Sequence, residues 1–109
     1  MSGGAGPPRL YEVSVSGWVY RKLLELADVA KGRGDGEAFL AALREFQRRL
    51  RVYPQFGDPL VDLSGEEGQV RLGIVPPLAM RCGVLEERRL VFVAARPVLL
   101  PKMGPPGGA

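Results

Sequence analysis

Arg71 and Arg81 are the residues of this 109-residue chain whose type and setting best fit chemistry. Each interrupts an apolar alternation, Arg71 within Val70-Arg71-Leu72-Gly73-Ile74 and Arg81 within Met80-Arg81-Cys82, on what reads as the face opposite the core. A guanidinium carries a permanent charge and five donors. Two of them on one sheet face would clamp a phosphodiester and stabilise the charge that develops as it is cleaved, with neither metal nor histidine. The same positions also suit ordinary solvent-facing strand residues with a cross-strand Glu partner. Arg96, near a strand end, has the same two readings.

Other chemistries are excluded or weak. The chain has no histidine, which removes imidazole-based triads, most transition-metal sites and the commonest general base at neutral pH. One cysteine builds neither a zinc ribbon nor a CxxC redox pair, and Cys82 reads as a small buried hydrophobe. Neither GxGxxG nor a GKS/GKT loop occurs, so no nucleotide cofactor is expected, and no metal either. Asp58, Asp62, Glu66, Glu67, Glu86 and Glu87 lie in or beside turns, where solvated carboxylates belong.

The net charge of +3 and pI near 9.4 favour acidic partners without demanding them. Arg44, Arg48 and Arg51 recur at helical spacing opposite Phe39, Leu43, Phe46 and Leu50. This stripe is either a solvated helix face or a surface for phosphate or an acidic protein segment. With 46% hydrophobic and 25% charged residues the chain has the make-up of a folded domain. Residues 10–100 are expected to form one domain, and the Gly/Pro-rich stretches 1–9 and 101–109 to be disordered tails. The longest apolar run, Leu90 to Ala95, falls far short of the roughly 18 residues of a membrane span. The N-terminal stretch lacks the charged flank and apolar core of a secretory signal, so a cytoplasmic protein is expected.

The elements that must position the arginines follow from periodicity. Leu10–Val15 alternates as a strand. Val19, Leu23, Leu26 and Ala30, then Phe39, Leu43, Phe46 and Leu50, repeat at helical spacing on either side of Gly32–Gly36, which predicts an antiparallel helical hairpin. Ser16 and Asp35 are the expected N-caps, the first helix ends near Ala30 or Lys31, and the second ends before Pro54. A loop, Pro54–Pro59, precedes a short strand, Leu60–Leu63, and a turn, Ser64–Gly68. Strands follow at Gln69–Ile74, Leu78–Leu85 and Leu90–Arg96, the first two separated by a break at Val75-Pro76-Pro77. The fold class is α+β: an N-terminal strand, a helical hairpin, then three to four strands in a mostly antiparallel twisted sheet packed on the helices. Tyr11 and Trp18 read as core or edge-packing aromatics, since aromatic residues make up only 7% and do not interleave with the basic ones.

This order of elements, with Phe56-Gly57-Asp58-Pro59-Leu60, Val70-Arg71-Leu72-Gly73, Leu78-Ala79-Met80-Arg81-Cys82-Gly83-Val84 and Leu90-Val91-Phe92-Val93, resembles the RelE/ParE superfamily of toxin–antitoxin toxins over residues 10–100. The resemblance implies an antitoxin that wraps the toxin, and one of two activities: metal-free cleavage of messenger RNA on the ribosome, or inhibition of DNA gyrase. Arg71 matches the family's strand arginine, and Arg81 falls where RelE-type members often carry a second basic residue. Both are candidate catalytic residues, with Arg44, Arg48, Arg51 and Arg96 as candidate RNA or partner contacts. Val98-Leu99-Leu100 stands where RelE-type nucleases carry a tyrosine or histidine. The alternative is a non-catalytic interaction module of the same fold that holds an acidic partner on the helix stripe. A second copy of the chain is a further candidate partner.

Overall fold

The computed structural model describes residues 10–63 and 68–101. Both terminal stretches expected as tails, apart from Pro101, and the turn residues 64–67 lie outside the described residues. The chain is α+β, two helices on a mixed six-stranded sheet. In chain order the elements are β1 (Glu12–Ser14), α1 (Gly17–Gly32), α2 (Gly36–Val52), β2 (Asp58–Asp62), β3 (Gly68–Val75), β4 (Leu78–Leu85), β5 (Leu90–Val93) and β6 (Val98–Leu99). A one-turn 3-10 helix, Pro54–Phe56, links α2 to β2.

Ser16 starts α1 as expected, its hydroxyl accepting the Val19 N–H at 3.2 Å. Asp35 does not cap α2 through its side chain. Its carboxylate instead accepts from Arg33 Nε at 2.7 Å, while the other end of that guanidinium reaches the Leu100 carbonyl at 2.7 Å. Competition from the nearby cation takes Asp35 away from the helix and ties the interhelical loop to the end of the sheet.

The strands run in the order β1-β5-β4-β3-β2, and β6 pairs with the start of β4 beyond the end of β5. Five strands follow the helices among the described residues, not three or four: the strand expected over Leu90–Arg96 ends at Val93, and a further short strand, Val98–Leu99, pairs with β4 beyond Pro97. β1 runs parallel to β5, and the remaining pairs are antiparallel. Pro76-Pro77, joined by a cis peptide, is a two-residue connection, since Val75 pairs directly with Leu78.

Phe39, Phe46, Leu78 and Val91 are fully buried between the helices and one face of the sheet, with Ala30, Met80, Cys82 and Val84 around them. Phe46 meets Phe56 edge to face, ring centroids 5.5 Å apart. Burial of each large apolar side chain here contributes about 1.5–3 kcal/mol. Tyr11 belongs to this core, its hydroxyl accepting from Gln55 Nε2 at 2.8 Å. Trp18 does not: it is 44% exposed, with Lys22 at 5.8 Å and Arg96 at 5.9 Å from its ring centre. At the second residue of α1 it lies off the Val19–Leu23–Leu26–Ala30 face that the sheet covers, so its ring serves the cations instead.

Candidate functional site

Register decides where the two candidate arginines point. Residues directly opposite each other in an antiparallel pair share a face. Arg71 lies opposite Cys82, and Leu72 opposite Arg81. Cys82 faces the helices, so Arg71 does too, in line with Gly73, where an added Cβ would lie 2.8 Å from Phe46 and 2.9 Å from Phe56. Arg81 projects from the other face, together with Leu72. The expectation that both arginines line one basic face opposite the core is therefore corrected. Val70, Leu72 and Ile74, read as the core side of β3 because they are apolar, face away from the helices. The sequence holds a clue: a two-residue connection at Pro76-Pro77 pairs 75 with 78, hence 73 with 80 and 71 with 82, and a buried Cys82 then brings Arg71 to the core side.

Arg71 is held by backbone. One end nitrogen of its guanidinium donates to the Gln55 carbonyl at 3.0 Å and to the Gly57 carbonyl at 2.5 Å. These carbonyls belong to the 3-10 turn that closes the end of α2, where no helix or strand partner is available to them. Gln55 extends the network, its amide donating to Glu86 at 3.2 Å as well as to Tyr11. Beyond Arg71 a polar cavity of about 630 Å³ opens, lined also by Asp62, Gln69, Glu86 and Glu87. Among the described lining residues three carboxylates outnumber one guanidinium, which opposes a phosphodiester. Among the described residues no group of carboxylate or thiol side chains is arranged to hold a metal ion.

Arg81 is exposed and has no side-chain partner among the described residues. Arg96 is exposed and lies 5.9 Å from the Trp18 ring centre, away from Arg71 and from the α2 stripe. Arg44, Arg48 and Arg51 do lie together on the exposed side of α2, but Arg48 makes a two-pronged pair with Glu45, at 3.0 and 2.7 Å, and Arg49 shares the same carboxylate at 2.6 Å. Hydrogen bonds from Arg48 and then Arg49 pull the Glu45 carboxyl down to about 2. Arg44 and Arg51 are left as the unneutralised charges of the stripe.

The helices enclose a feature that periodicity alone did not single out. On the side away from the sheet, Tyr20, Leu23, Leu24 and Ala27 of α1 face Leu40 and Leu43 of α2 across an apolar groove of about 550 Å³. Tyr20, Leu24 and Leu40 are about half exposed. A trace existed in the doubled apolar pairs Leu23-Leu24 and Phe39-Leu40: one member of each serves the core and the next widens the stripe outward. Arg44 continues the i, i+4 row that begins at Leu40, so an unneutralised cation flanks the α2 side of the groove. The Cys82 thiol is buried, and desolvation pushes it up to about 12. Among the described residues no helix is long and apolar enough to cross a membrane. No protein-family model, curated protein or solved structure matches the chain.

Proposed function

We propose that the chain is a RelE/ParE-like domain, a toxin or a toxin-derived relative, that works by binding, and that its helical hairpin seats an acidic amphipathic helix supplied by an antitoxin. The family resemblance supports the class. The mode of action is supported by one observation above the others: the half-exposed apolar groove of Tyr20, Leu24 and Leu40, flanked by a rim that Arg44 begins one helical turn after Leu40. A helix with apolar residues at i, i+3 and i+7 would fill such a groove, and carboxylates on its flank would meet the rim.

Messenger-RNA cleavage gains less support. Guanidiniums stabilise a phosphoryl transition state only when they converge on it, and Arg71 and Arg81 leave the sheet on opposite sides. Gyrase inhibition needs a binding surface alone and stays within the proposal.

The test is production of the chain alone and then with the product of the adjacent reading frame. Growth arrest relieved by that product is expected. Leu24→Arg combined with Leu40→Arg should remove the relief and keep the arrest, since both positions are exposed and such changes usually stay within about 0.5 kcal/mol. Arrest accompanied by transcript cleavage that Arg81→Ala abolishes would replace this reading with the catalytic one, and absence of any arrest or partner would refute it. Binding in the groove, carried mainly by apolar burial, should weaken only modestly with salt, whereas polynucleotide binding would weaken steeply with it.

A further inference from the structure

We infer that a second copy of this chain covers the face of the sheet that the helices leave open, with Arg81 of each copy on Asp58 of the other. Both helices pack on the opposite face, yet this one is built from apolar side chains: Val61, Val70, Leu72, Ile74, Phe92 and Val98. Val61, Ile74 and Val98 are 59%, 44% and 50% exposed. β3 thus carries its apolar set on the open side, where an antiparallel sheet with one wet side carries polar residues, so this side asks for a cover.

The charges identify the cover. Asp58 lies opposite Leu72, and Leu72 opposite Arg81, so the three form one cross-strand row with the anion and the cation at its ends. They are two strands apart, about 10 Å, too far to pair within one chain. Neither has a side-chain partner among the described residues. A two-fold axis lying above β3 and parallel to it superposes each end of this row on the other end in the facing copy. Arg81 then stands over Asp58 of its mate twice, and the Val70, Leu72, Ile74 ridge meets its own image along the axis, as an isologous contact requires. Sheets so placed pack aligned, about 10 Å apart.

The axis above β3 overlaps three strands, β2, β3 and β4, and three strands at about 4.8 Å with eight residues at about 3.4 Å give a footprint of roughly 400 Å² per copy. Together that is about 800 Å², below the size of a stable specific interface, so the dimer is a weak one that forms reversibly with concentration. The helical groove stays free on the far side, and the two proposals stand or fall separately.

Sedimentation equilibrium over a concentration series tests it. Wild-type protein is expected to pass from monomer to dimer. Arg81→Asp and Asp58→Arg should each weaken self-association at least about tenfold, because like charges then face each other. An equimolar mixture of the two variants should recover it, since both cross-pairs are restored in the mixed dimer. Wild-type protein that stays monomeric to about 0.5 mM, or single variants that dimerise as well as wild type, would overturn the inference. So would a mixture that does not recover. Circular dichroism confirms that each variant is folded, and Leu72→Asp, at the centre of the row, provides an independent arm that should abolish the dimer.

Discussion

The Arg71 guanidinium donates to the Gly57 carbonyl across the junction of α2 and β2, and the same nitrogen serves the Gln55 carbonyl. A charged side chain thereby substitutes for the strand or helix that would otherwise satisfy this turn. Arg71→Ala should cost about 1.5–3 kcal/mol, the range for hydrogen bonds to charged groups. Arg81→Ala should change stability by no more than about 0.5 kcal/mol. Denaturant midpoints of the two variants check the contrast, and equal effects would contradict the placement of Arg71 on the helix side.

Gly73 provides the space into which α2 packs. A Cβ there would meet Phe46 and Phe56 at 2.8 and 2.9 Å, and Phe46 is fully buried with no room to retreat. Gly73→Ala should therefore destabilise by about 1–3 kcal/mol through overpacking. Thermal unfolding is the measurement. A neutral or stabilising result would mean that the two rings shift freely.

Glu45 sets an acid-side signature. Its carboxyl is lowered from 4.5 to about 2 by Arg48 and Arg49. The folded group is more acidic than the unfolded one, so the stability from these pairs is complete above about 4.5 and is lost as pH falls toward 2. Carboxyl-carbon NMR should show Glu45 titrating near 2, and Arg48→Ala should move that titration upward. A Glu45 titration close to 4.5 in the wild type would show that the shared pair does not form in solution.

Cys82 sets an alkaline one. Burial raises its thiol from 9 to about 12, so the folded state holds the proton more tightly and the associated stability falls as pH rises from 9 toward 12. Thiol reagents should modify native protein only as fast as it opens, and denatured protein at once. Rapid labelling of the folded chain would place Cys82 outside the core.

Much of the frame was legible in the residues themselves, because helix and strand periods are local. Val19, Leu23, Leu26 and Ala30 and the Phe39–Leu50 series form the two helices, and Leu78–Leu85 is a strand with the bounds read from its alternation. Alternation divides β3 into two sets of side chains without saying which set is inside. The apolar set, Val70, Leu72 and Ile74, looked like the core set, and the hairpin register put it outside and brought Gly73 and Arg71 in. Two further features came from tertiary structure alone: the parallel pairing of β1 with β5, residues far apart in the chain, and the groove that forms only once α1 and α2 lie side by side. Composition and spacing settle which residues are apolar or charged and how each segment repeats. Which faces meet is decided by long-range pairing, where the volume of Phe46 and the backbone carbonyls of the 55–57 turn select one side of a strand over the other.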